Sequence, residues 1–233
     1  MGSADWTDLP NQATDAEVLG QVTMCPTLYP PEGDFCFGFR SLTSSAKFKG
    51  RYYNHSAFAP LAASKGGSIH AYVRKDSPMS SACLYAPVLF YVNSIDYDDD
   101  PEGYILGLSE GVPYYVTLCK GKLSSGVKTT SCVAKGATGY SAAQWIGLRF
   151  DFIFNPQGDL VFNVYVDADT NPAGPDWQRP TGISAAVVDD NLGKLTGSAP
   201  NTDRMYMGFG MYSAQADCYA AFDYVRMRRQ LTP

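Results

Sequence analysis

The stretch from Trp145 to Asp167, WIGLRFDFIFNPQGDLVFNVYVD, constrains this chain more than any other, because it reads as a β-hairpin of two half-buried strands. Leu148, Phe150, Phe152 and Phe154 recur with a period of two and share one face, while Arg149, Asp151 and Ile153 share the other. Leu160, Phe162, Val164 and Val166 repeat the pattern. Between the two runs, Asn155-Pro156-Gln157-Gly158-Asp159 supplies the residue types that reverse a chain.

Comparable runs fill the rest of the sequence: Asp34 to Arg40, Ala46 to Tyr53, Ser68 to Arg74, Cys83 to Asn93, Tyr104 to Leu108, Pro113 to Lys122 and Val127 to Ala134. Met205 to Tyr212 and Cys218 to Arg228 complete the set, with Gly, Pro, Ser or Asp in the intervals. Short strands with no helical period between them imply an all-β, antiparallel sandwich or barrel. Thr14 to Val22 and Ile183 to Leu195 each read as a short helical turn. The expected organisation is an N-terminal arm, residues 1–33, packed on the domain or a neighbour, followed by a single β-sandwich domain over 34–233. Trp6 is placed to pin that arm.

Composition narrows the function classes. With 45% hydrophobic and 18% charged residues the chain is expected to fold throughout. A formal charge of -5 argues against a nucleic-acid partner, which needs concentrated Lys and Arg. Arg226, Arg228 and Arg229 are the exception, read either as the solvated end of a last strand or as a dock for an acidic partner. No apolar run is long enough for membrane insertion, and the first residues carry neither a basic start nor an apolar signal core.

Six cysteines, at 25, 36, 83, 119, 132 and 218, form no CxxC pair, and the chain has two histidines, which disfavours a zinc site. A hairpin closed symmetrically at residues 124–127 sets Cys119 opposite Cys132 and makes a cross-strand disulfide conceivable. The plainer expectation is that both are small buried hydrophobes in a reducing compartment.

Catalytic signatures are missing. No ExDxxE arrangement occurs, glutamates stand at 17, 32, 102 and 110, and neither His55 nor His70 accompanies a GxSxG motif. Binding candidates are confined to polar loops. Asp96-Tyr97-Asp98-Asp99-Asp100-Pro101-Glu102 concentrates carboxylates, which suits either a solvated acidic turn or a calcium ion held by Asp96, Asp98, Asp100 and Glu102. Asp167 and Asp169 offer a second alternating set, ending at Asn171. Trp177, in NPAGPDWQRP beside Asp176, either stacks on a ligand or caps the core edge, and Trp145 is expected in the core.

The Trp145-led hairpin, the Trp177 loop, the glycine-spaced MYMGFGMYS and the closing AAFDYVRM from Ala220 to Met227 together resemble the concanavalin A-like, laminin-G-type jelly roll over residues 103–229. That resemblance implies one sandwich of two packed antiparallel sheets. The family includes lectins, glycan hydrolases, adhesion modules and accessory domains of virus particles.

In style the chain also resembles virion structural proteins of tailed bacteriophages, such as decoration, tail or fibre-associated proteins. The expected function is that of a noncatalytic virion structural or attachment protein, assembled in the host cytoplasm and exposed extracellularly. Its expected partners are other virion proteins, copies of itself and a host-surface glycan. The alternative is a secreted, lectin-like glycan-binding module using Trp177, Asp176 and Asn171, with calcium as the one cofactor suggested.

Overall fold

The computed structural model of the protein describes residues 6–8, 16–19, 31, 36–41, 47–53, 66–75, 85–92, 102–109, 115–122, 131–139, 144–154, 160–183, 187–189, 206–213 and 219–229. The strands in chain order are β1 (Trp6–Asp8), β2 (Ala16–Leu19), β3 (Phe37–Ser41), β4 (Lys47–Tyr53), β5 (Gly67–Lys75), β6 (Tyr85–Val92) and β7 (Glu102–Ser109). They continue as β8 (Tyr115–Lys122), β9 (Ser131–Ala137), β10 (Trp145–Phe154), β11 (Leu160–Asp167), β12 (Val187–Asp189), β13 (Tyr206–Ser213) and β14 (Tyr219–Arg229). They form two seven-stranded sheets, ordered β1-β4-β13-β6-β7-β8-β9 and β12-β11-β10-β5-β14-β3-β2. Every strand pairing is antiparallel.

The period-two pattern decides what lies between the sheets. Leu148, Phe150 and Phe152 of β10 join Phe162, Val164 and Val166 of β11 in the buried core, and Ile153, on the opposite face, is exposed. From the first sheet come Leu89, Tyr104, Leu106, Leu118, Met207 and Phe209. Tyr104 and Phe162 meet across the gap with ring centroids 4.5 Å apart, and Phe209 meets Phe222 at 4.9 Å. Such ring pairs add about 0.5–1.5 kcal/mol each beyond the apolar area they bury.

Several expectations need correction. Thr14 to Val22 contains the strand β2, which pairs with β3 at the end of the second sheet. Within Ile183 to Leu195 the chain makes β12, paired with β11. Both are short edge strands, whose few residues offer no period to read. Trp6 lies in β1, in register with Tyr53 of β4, so the arm contributes a strand to each sheet. Trp145 is half-buried on the opposite face from the main core, packed against Cys36 and Ala221.

The register sets Cys119 opposite Cys132. Cys36 and Cys119 are both disulfide-bonded, and no free cysteine occurs among the described residues, which overturns the expectation of reduced thiols. Among the described residues no helix is long and apolar enough to cross a membrane.

Candidate functional site

Strand β5 crosses the middle of the second sheet, and the sequence alternation gives it two unlike faces. Ile69, Ala71 and Val73 enter the core; Ser68, His70 and Tyr72 point the other way and are also buried. Over His70 and Tyr72 lies the chain from 168 to 180, which leaves β11 and straps back over the sheet. Gln178 exchanges two 2.8 Å backbone hydrogen bonds with Val166, and Thr181 accepts one of 2.9 Å from Ala137 of β9, fastening the strap's far end to both sheets.

Register sorts the strap-covered face into rows running across the strands. Tyr165, Arg149, His70 and Arg226 make one row, from β11 through β10 and β5 to β14. Asp167, Gly147, Tyr72 and Asp223 make the next. Asn163, Asp151, Ser68 and Arg228 flank the first row on its other side.

Gly147 is what allows the strap to come down. A Cβ at this position would lie 2.9 Å from Cζ3 of Trp177 and 2.7 Å from Cβ of Asp167, so the indole occupies the space a side chain would need. The Trp177 ring stacks nearly parallel to Tyr72, with centroids 6.3 Å apart at 13°, and lies 5.4 Å from His70. It packs on the outer face of the sheet rather than at the edge of the core, and remains half-exposed.

Tyr224 reaches the same cluster through a β-bulge. The register of β14 against β5 shifts between Asp223 and Arg226, and Tyr224 there adopts φ 51°, a left-handed conformation that side chains other than glycine's resist. An unbroken strand alternating from Phe222 would turn Tyr224 into the core. The bulge puts its ring 5.8 Å from His70 and 5.7 Å from Tyr72 instead, with Val225 facing the core. Two hydrogen bonds hold it: the Tyr224 N–H donates to Oδ1 of Asp223 at 2.7 Å, and its hydroxyl donates to the Pro172 carbonyl in the strap at 3.2 Å.

Arginines interleave with these rings. Arg149 lies 5.3 Å from the Tyr165 centroid and 5.9 Å from that of Trp177, Arg179 lies 5.5 Å from Tyr165, and Arg226 lies 3.9 Å above Tyr224. Arg149 is also clamped by Asp151 through bonds of 2.8 and 2.6 Å. Burial pushes the His70 imidazole down to about 4, helped by the nearby charges of Arg149, Arg228 and Arg226, so it is neutral at pH 7. Burial raises the Tyr72 hydroxyl, and so does its bond to Asp167. Burial likewise raises the Asp167 carboxyl, against the lowering effect of that bond.

No protein-family model and no curated protein matches the sequence. Solved structures do match in shape. The metal-free exoplasmic/lumenal domain of VIP36 aligns with 100% of this chain and 89% of its own at 13% identity and TM-score 0.50. Its Ca2+/Man3GlcNAc-bound form aligns over 99% and 87% at 11% identity and TM-score 0.50. A carbohydrate esterase of the Shiga toxin-encoding bacteriophage phi24B aligns over 96% and 89% at 13% identity and TM-score 0.48. The fold is the concanavalin A-like jelly roll.

Within this jelly roll the sites expected from sequence fall unevenly. Trp177, Asp176 and Asn171 all lie in the strap; Asn171 and Asp176 are exposed, and Trp177 alone reaches the aromatic cluster. Asp176 accepts a 2.7 Å bond from the Gln178 side chain. Asp167, Asp169 and Asn171 form a ladder of turns, each Oδ1 accepting the N–H two residues on, at 3.2, 3.0 and 3.1 Å. With its other oxygen held by Tyr72, the enclosed Asp167 shapes the start of the strap. Among the described residues no group of three or more His, Cys, Asp or Glu side chains could hold a metal.

Asp96, Asp98 and Asp100 lie outside the described residues, as does His55; Glu102 starts β7 opposite Lys122. Sequence reasoning missed His70, Tyr72, Arg149, Tyr165 and Tyr224 as members of one cluster. A signal existed for four of them: they stand at the non-core positions of strands whose alternation was clear.

Proposed function

We propose that this chain is a noncatalytic saccharide-binding module whose contact surface is the strap-covered face of the second sheet. The observation that carries the proposal is Trp177 seated over Gly147, with Tyr165 and Tyr224 on the same face and all three rings partly open to solvent. Flat rings fixed beside polar groups match the apolar faces and hydroxyl edges of a sugar. VIP36 supports the reading by analogy, since the same fold there holds Man3GlcNAc.

The carboxylates of this face favour binding over hydrolysis. Asp151 is clamped to Arg149, Asp167 is bonded to Tyr72 and Asp223 accepts the Tyr224 N–H. Asp167 has a second carboxylate, Asp169, beside it, but the two share one turn of the strap and Asp167 is enclosed and bonded to Tyr72, unlike a glycosidase pair that faces a sugar. Disulfide-bonded Cys36 and Cys119 favour a chain that matures in an oxidising compartment and acts outside the cell.

A glycan array probed with the wild-type protein and with Trp177→Ala tests the proposal. Hits that vanish in a variant of unchanged melting temperature support it; an array without hits removes it. The finer reading, a virion attachment protein of a tailed bacteriophage with other virion proteins and copies of itself as partners, would use this face for a host-surface glycan. Co-sedimentation with phage particles tests that setting. Calcium enters through the acidic run at Asp96, Asp98 and Asp100, and a calcium-induced rise in Tm that Asp98→Asn abolishes would establish it.

A further inference from the structure

We propose that the saccharide bound on this face is anionic, its carboxylate or sulfate seated at Arg226 and Arg228 of β14 while the sugar ring lies toward Trp177. The inference rests on the saccharide-binding reading above and goes beyond it by naming the ligand's charge.

The chain as a whole is acidic, at -5, yet Arg149, Arg179, Arg226 and Arg228 all lie on this one face. The row from Tyr165 to Arg226 spans four strands, roughly 14 Å at the usual strand spacing, which is the length of two or three sugar rings. The cations differ in exposure and placement: Arg149 is half-buried against Asp151, and Arg179 stands in the strap beside Asn163 of β11. Arg226 and Arg228 stand at the β14 end, both exposed, on alternate residues of a strand and therefore on the same face.

The guanidinium carbon of Arg226 lies 3.9 Å from the Tyr224 ring centroid, a cation–π contact that restricts the group's motion. Its N–H donors lie in the plane of the group, the arrangement suited to a two-pronged bond with an oxyanion. The face also carries acidic groups. Asp167 and Asp223 are enclosed in the neighbouring row and Asp151 is held by Arg149, while Asp169 and Asp176 are exposed in the strap; Arg226 and Arg228 are exposed on β14, on the far side of β5 from Arg149. The bulge that turns Tyr224 outward thus supplies the platform for Arg226, and with it the reason to hold a strained residue here.

The test is a binding titration of the full chain with polygalacturonate, dextran sulfate, neutral dextran and, as a sugar-free polyanion, polyglutamate. Arg226→Gln/Arg228→Gln, Arg226→Lys/Arg228→Lys and Trp177→Ala are compared with wild type, each checked for unchanged Tm. The expected result is binding of one or both anionic polysaccharides, weakened tenfold or more by the glutamine pair, less by the lysine pair, and abolished by Trp177→Ala. A carboxylate or sulfate preference separates the two sources of negative charge. Binding of neutral dextran as tight as that of the anionic polymers, unaffected by the glutamine pair, overturns the anionic assignment and leaves the saccharide reading standing. Anionic binding insensitive to the glutamine pair, or equal binding of polyglutamate, also overturns it. No binding of any polysaccharide overturns both.

Discussion

The phenol of Tyr72 donates a 2.9 Å hydrogen bond to Oδ2 of Asp167, joining the middle of β5 to the end of β11 across the bare backbone of Gly147. Both groups are enclosed. Tyr72→Phe leaves a buried carboxyl oxygen without this donor, a loss of about 1–3 kcal/mol. A lowered urea midpoint with an unchanged slope is the expected reading, and a variant as stable as wild type would show that the bond contributes nothing.

Gly147→Ala probes the seating of the strap. The added methyl meets the Trp177 ring and Asp167 below ordinary contact distance, so the indole has to lift. Destabilisation of about 1–3 kcal/mol is expected from overpacking, together with a red-shifted tryptophan emission and weaker saccharide binding. An unchanged spectrum would place Trp177 elsewhere.

His70 gives the face a pH signature. Its native value of about 4 lies below the ordinary 6.5, so the unfolded chain binds this proton first as pH falls. The stability contributed by the neutral imidazole is fully present above pH 6.5 and is lost as pH drops toward 4, about 3 kcal/mol in all. Asp167 acts with the opposite sign: its raised carboxyl favours the native state at low pH and loses that contribution as pH rises above the ordinary carboxylate range. Comparing wild type with His70→Asn isolates the imidazole. The stability difference between the two is expected to change between pH 6.5 and 4, and equal pH profiles would contradict the burial of His70.

How much of this was legible in the sequence follows from the range of the forces involved. The hairpin from Trp145 to Asp167 could be read because core burial imposes a period of two on every residue, and the observed register and burial follow that period. β2 and β12 carry too few residues to show a period. The site depended on two devices with no local signature. A strap packing on a sheet face is a tertiary choice, marked only by Gly147 in a strand otherwise rich in large residues. The bulge at Tyr224 has no glycine to mark it, and FDYVRM reads as unbroken alternation until the register is known.

Tyr224→Phe separates that bulge from its hydroxyl. The ring stays between His70 and Arg226, while the bond to the Pro172 carbonyl is lost. Global stability is expected to fall by about 1 kcal/mol, with faster hydrogen exchange confined to residues 168–176. Unaltered exchange there would mean that Tyr224 does not hold the strap.

The central claim is that the face under Trp177 is where a saccharide binds. An NMR titration that follows the three indole N–H resonances, with Trp177 assigned from Trp177→Phe, tests it most directly. As a saccharide that binds is added, the Trp177 resonance is expected to move in a saturable way while that of Trp6 stays in place. A Trp177 resonance unmoved at saturation would contradict the account.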